Sequence, residues 1–131
     1  MLPKSAIFGG VLVAIFSFLG TNSAYSAEPE RYFSVDYANR AAVYTFFEVS
    51  YDSPSRGHGS FRSGVLAVGM DRRTTVPSDA YNIVIEVDQG DILMEPFKLA
   101  RWDFRELDSD VCVSSWGSIF SSGATLRKGA C

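Results

Sequence analysis

Ala42-Val-Tyr-Thr-Phe-Phe-Glu-Val-Ser-Tyr51 alternates with a period of two. Val43, Thr45, Phe47, Val49 and Tyr51 fall on one face of an extended chain. Tyr44, Phe46, Glu48 and Ser50 fall on the other, as successive side chains of a strand must. The same period returns from Tyr81 to Asp88, where Tyr81, Ile83, Ile85 and Val87 alternate with Asn82, Val84, Glu86 and Asp88. It returns once more where Val111, Val113 and Ser115 alternate with Cys112, Ser114 and Trp116. Breakers separate these runs: Asp52-Ser-Pro-Ser-Arg-Gly-His-Gly-Ser60, Pro77-Ser-Asp-Ala80 and Gln89-Gly-Asp91.

The remaining segments are less regular. Phe61 to Val68 reads as a strand weakened by Gly64, and Met70-Asp-Arg-Arg73 as a turn into Thr74-Thr-Val76. Leu99 to Leu107 fits a short helix or a strand. Ser118 to Ser122 reads as a loop, and Ala124 to Arg127 as a last short strand. No internal repeat is visible. Short strands at close spacing with turns between them predict an all-β, single-domain antiparallel β-sandwich.

The N-terminus has a different character. Lys4 precedes an apolar stretch from Ala6 to Leu19, followed by Gly-Thr-Asn-Ser-Ala-Tyr-Ser-Ala27. Charge, apolar run and small residues in that order predict an export signal over residues 1–27, cut after Ser26 or Ala27. The apolar run is short of the roughly 20 residues that span a bilayer. The domain is therefore expected over residues 28–131, in a protein that is secreted, to a periplasm or outside the cell. Within it, Cys112 and Cys131 form an even pair. In an exported chain that predicts a disulfide, with no Cys-x-x-Cys to suggest metal or redox use.

Charge excludes one class of function. Without Lys4, eleven cations stand against fifteen carboxylates. Nucleic-acid binding needs a basic face, and none is expected. Catalysis finds little support either. The sole histidine, His58, sits between two glycines, where a general base would lack fixed geometry. Carboxylates gather at Glu86, Asp88, Asp91 and Glu95, and again at Asp103, Glu106, Asp108 and Asp110. Such groups can hydrolyse glycosides or hold calcium. Asp108-Ser-Asp110 lacks a graded calcium-ligand series, and solvated surface accounts for the rest. No enzyme activity, metal or cofactor is expected.

Apolar residues in expected loops need an explanation, because loops are ordinarily polar. Ile92, Leu93, Met94 and Phe97 follow a strand through a glycine turn, and Ile119 and Phe120 sit between serines after Trp116-Gly117. They fold back as satellite core or contact a membrane or receptor.

At these residues the chain resembles the C-terminal, membrane-recognising β-sandwich domain of the thiol-activated, cholesterol-dependent cytolysins. Ala42 to Asp52 resembles that domain's opening strand. Thr74-Thr-Val-Pro-Ser-Asp-Ala-Tyr-Asn-Ile-Val-Ile85 is similar to the segment where a proline and an Asn-Ile pair lead into a strand. Ile92 to Lys98 falls where the family has its tryptophan-rich undecapeptide, and Val113-Ser-Ser-Trp-Gly117 matches the strand before its sterol-recognition loop. The undecapeptide's tryptophans and cysteine are absent here. The family's Thr-Leu sterol pair falls on Ile119-Phe120, with Thr125-Leu126 six residues later. The resemblance implies a stand-alone recognition module without pore-forming domains, binding a membrane lipid, a sterol, or a cell-surface receptor or glycan. Two other classes fit the same residues. One is a protein-binding module (an inhibitor or assembly subunit); the other is a carbohydrate-binding module stacking sugars on Trp102 or Trp116.

Overall fold

The computed structural model describes residues 31–90 and 95–131. The expected export signal, and Ile92, Leu93 and Met94, lie outside the described residues.

Among the described residues the chain forms strands β1 (Tyr32–Asn39), β2 (Thr45–Asp52), β3 (Gly59–Arg62), β4 (Asp71–Pro77), β5 (Tyr81–Gln89), β6 (Phe97–Phe104), β7 (Val111–Ser118) and β8 (Ser121–Lys128). They make two four-stranded sheets, ordered β4-β1-β7-β8 and β3-β2-β5-β6. The alternation read from the sequence becomes the division between core and surface. Phe47 and Val49 of β2 and Ile83, Ile85 and Val87 of β5 are buried, while Phe46, Glu48, Val84, Glu86 and Asp88 are only partly so. From the facing sheet come Val35 and Tyr37 of β1, Val76 of β4, and Val111 and Val113 of β7. The Tyr37 and Phe47 rings stack across the gap at 5.0 Å, and Phe61 meets Phe47 edge-on at 6.1 Å.

Pairing is antiparallel everywhere except between β1 and β7, which run parallel with Val35 opposite Val111. Strand β1 is the element the sequence reading passes over. Its centre holds Asp36 and it ends in Asn39, polar residues that argue against a buried strand. Both are buried, and partners far along the chain make this tolerable. Arg73 reaches Asp36 with two hydrogen bonds, 2.6 and 3.0 Å, across the β1–β4 pair. Other expectations shift at their edges. Strand β3 stops at Arg62, short of the expected Val68, and only a single bridge between Leu66 and Thr45 continues the pairing. The expected turn at Met70–Arg73 is mostly strand, since β4 begins at Asp71. The ambiguous stretch from Leu99 is strand β6. The expected loop at Ser118–Ser122 shrinks to a tight turn, with Ser118 paired to Ser121.

Cys112 and Cys131 are disulfide-bonded, with Cα atoms 5.1 Å apart. The bond draws the C-terminus across the outer face of the first sheet, where Cys131 approaches the backbone oxygen of Asp36.

Candidate functional site

Strand directions gather four connections at one end of the sandwich. Strands β1 and β7 end there; β2 and β4 begin there. The β1–β2 link ties these ends together: Ala42 N–H donates to Gly117 O at 2.7 Å, and Gly90 N–H to Tyr44 O at 3.0 Å. Asn39 N–H donates to Met70 O, and Gly69 N–H to Asn39 O, which brings in the β3–β4 link. The β7–β8 turn completes the group. Its tightness depends on Gly117, at φ +100°, where a Cβ would collide with the backbone oxygen of Ser121.

A buried polar cluster fixes this end from beneath. The Asn39 side chain donates from Nδ2 to Val43 O and Leu66 O, both at 2.9 Å. Its Oδ1 accepts from Ala41 N–H at 3.0 Å and from the Ser115 hydroxyl at 2.6 Å. Tyr37 extends the cluster, donating to Ser115 Oγ at 3.0 Å and sharing a hydrogen bond with Thr45 Oγ1 at 2.5 Å. Burial pushes the Tyr37 hydroxyl pKa above its ordinary value, outweighing the opposing hydrogen bonds from Ser115 and Thr45. A second tie runs from the Ser122 hydroxyl to Gln89 Oε1 at 2.6 Å.

The surface of this end is apolar. Nine large hydrophobic residues are exposed among the described residues: Tyr32, Tyr44, Val68, Met70, Tyr81, Phe97, Trp116, Ile119 and Phe120. All but Tyr32 and Tyr81 lie at this end. Phe120 is 92% exposed, Ile119 72% and Phe97 51%. Between the links opens a pocket of about 450 Å³, lined by Val43, Tyr44, Ala67, Val68, Gly90 and Ile119 among others.

The opposite end is charged. There His58 Nδ1 lies 3.0 Å from Asp52, and Lys128 lies 3.1 Å from Asp108. Hydrogen bonds from His58 and Asn82 hold Asp52 below the usual carboxylate range, and Lys128 does the same for Asp108. Among the described residues no three histidine, cysteine or acidic side chains converge as a metal set.

Of the contact residues expected from sequence, Phe97, Ile119 and Phe120 come together at the apolar end and stand clear of the core. Ile92, Leu93 and Met94 belong to the connection between Gly90 and Glu95, outside the described residues. Tyr44, Val68 and Met70 are further members of the surface that sequence reasoning missed, and Trp116, expected there only as a sugar-stacking residue, belongs to it as well. The available signal was Val68-Gly-Met70, an apolar pair around a glycine. Trp102, half-buried, packs against the core, whereas Trp116 is exposed.

No family model and no curated protein matches the chain. Solved structures do. The membrane-binding domain of pneumolysin superposes with a TM-score of 0.58 at 8% identity, over 77% of this chain and 100% of that one. Listeriolysin O gives 0.59 at 12% identity over 76% of this chain, and suilysin from Streptococcus suis 0.59 at 8% over 76%. The chain spans 23% of the length of listeriolysin O and 24% of that of suilysin. The fold is that of the cytolysin membrane-binding domain.

Proposed function

We propose that this cytolysin-type sandwich is an exported, non-enzymatic module that docks on a lipid membrane through its apolar end. Ile92, Leu93, Met94, Phe97, Ile119 and Phe120 are the residues that enter the lipid. One observation carries the reading: seven of the nine exposed large hydrophobic residues share the end where the four connections meet. A water-soluble surface rarely concentrates apolar residues in this way without a partner. The likeness to pneumolysin's membrane-binding domain supports the choice of a membrane as that partner. Export is supported by the signal-like residues 1–27 and by the disulfide, a bond suited to oxidising compartments.

The energetics suit reversible docking. Complete burial of a large apolar side chain contributes roughly 1.5–3 kcal/mol. Scaled by exposure, Phe97, Ile119 and Phe120 supply about 3–6 kcal/mol. Association costs of several kcal/mol come off that. A specific lipid, sterol or glycan contact would be needed for firm attachment.

The test is co-sedimentation of the oxidised residues 28–131 with liposomes, with and without cholesterol. Binding to either vesicle, lost on Phe97→Asp with Phe120→Asp in a folded protein, supports docking. Binding restricted to cholesterol vesicles adds sterol recognition. Binding to neither sinks the reading and moves the search to protein or glycan partners.

A further inference from the structure

Two exposed side chains stand side by side on the rim of the apolar end. Arg40, the first residue after β1, is exposed, and its guanidinium has no hydrogen-bond or ion-pair partner among the described residues. Some strand cations are matched, Arg62 with Glu48, Arg73 with Asp36, and Lys98 and Arg101 with Glu86, while Arg72 of β4 and Arg127 of β8, like Arg40, have no ion-pair partner among the described residues. The Arg40 N–H donates to Ser115 O at 3.2 Å, which holds this residue against the end of β7, beside Trp116.

Trp116 is 48% exposed and lies over Gly123 of β8. A Cβ on Gly123 would fall 2.6 Å from Cζ2 and 3.0 Å from Cε2 of the indole. The ring therefore rests on bare backbone, a fit that only glycine permits, while the residue keeps 48% of its surface exposed. Among the described residues no cation or second ring is stacked on it.

An unpaired guanidinium on the strand beside an exposed indole complements a zwitterion. Phosphate oxygens accept from the guanidinium fork, and a quaternary ammonium is drawn to the π face. We infer that Arg40 and Trp116 form a site for the phosphocholine headgroup of a phospholipid. The phosphate faces Arg40 on the β1 side of β7, and the ammonium faces the indole of Trp116. The inference rests on the docking reading and supplies it with a lipid class. Depth agrees as well. Trp116 precedes Ile119 by three residues, roughly 10 Å of strand. With Ile119 and Phe120 in hydrocarbon, it stands at the level of the headgroups. Net charge argues against an anionic headgroup, since the chain carries −3.

The experiment compares two uncharged vesicles, phosphatidylcholine and digalactosyl diacylglycerol, by sedimentation of the mature oxidised chain. The expected result is about tenfold tighter binding to phosphatidylcholine. Arg40→Gln removes that preference, leaves galactolipid binding within about twofold and holds the melting temperature, since its side chain is exposed; Trp116→Leu also removes the preference, but weakens binding to both vesicles because Trp116 belongs to the apolar end. Equal wild-type affinity for the two lipids, or a preference that survives both variants, overturns the inference. If neither vesicle binds, the docking reading fails, and soluble phosphocholine decides the site by itself. A saturable shift of the Trp116 indole N–H resonance, abolished by Arg40→Gln, upholds it; no shift overturns it.

Discussion

Asn39→Ala should destabilise the domain by about 3–4 kcal/mol while leaving its fold intact. The side chain is fully buried and makes four hydrogen bonds, two given and two accepted. Truncation removes four hydrogen bonds, each worth about 1 kcal/mol net. The Ser115 hydroxyl can turn and Tyr37 still reaches it, so the hydroxyl recovers part of its loss. The Leu66 carbonyl keeps the bond from Thr45 N–H at 3.0 Å, whereas the Val43 carbonyl loses the one side-chain donor it has among the described residues. For a domain of this size 1 kcal/mol lowers Tm by roughly 4–8 °C, so the fall is about 12–30 °C. Urea denaturation would show the midpoint moving with little change in slope. The same variant tests the link between stability and site. All four bonds reach segments that shape the apolar end, so hydrogen exchange at Ala41, Val43 and Leu66 should speed up more than at Ile85 in the core. A loss under 1 kcal/mol, or uniform exchange acceleration, would refute the view that Asn39 organises that end.

Ile119→Ser with Phe120→Ser should leave Tm within about 2 °C, because both side chains are exposed. It should weaken vesicle binding by about 2.5–5 kcal/mol, two to three and a half orders of magnitude in sedimentation; a change under fivefold would remove both from the contact surface. Replacing Cys112 and Cys131 with serine opens a link with a sequence separation of 19. It should cost about 3 kcal/mol by calorimetry, and an unchanged Tm would show that the C-terminus holds without it. Asp52, Asp103 and Asp108 have folded pKa values below the ordinary 3.8, held there chiefly by His58, Arg101 and Lys128. Depressed carboxylates stabilise above their unfolded pKa and lose that contribution as pH falls through the folded one. Tm should therefore hold near neutrality and decline below about pH 4; a flat profile to pH 2 contradicts this.

The strands legible in the sequence were those whose burial follows residue type. In β2, β5 and β7 apolar side chains point inward, so alternation alone identified them. Strand β1 was hidden because Asp36 and Asn39 look like surface residues until Arg73, Leu66 and Ser115 are brought beside them. The apolar end was half legible. Phe97, Ile119 and Phe120 stood out as apolar residues in expected loops. Tyr44, Val68 and Trp116 looked like ordinary members of strands, and Met70 like part of a turn. Which end they share depends on strand direction, and the parallel β1–β7 pair has no local signature.

That pairing has a consequence for how the chain acquires its shape. Strand β1 lies in the middle of its sheet, and Val35 is opposite Thr74 on one side and Val111 on the other. The sheet cannot close until a strand 76 residues downstream has been made, and contacts of such range make folding slow, on the order of milliseconds to seconds. Until then β1 can pair only with β4, and its other edge stays open to wrong partners until β7 arrives.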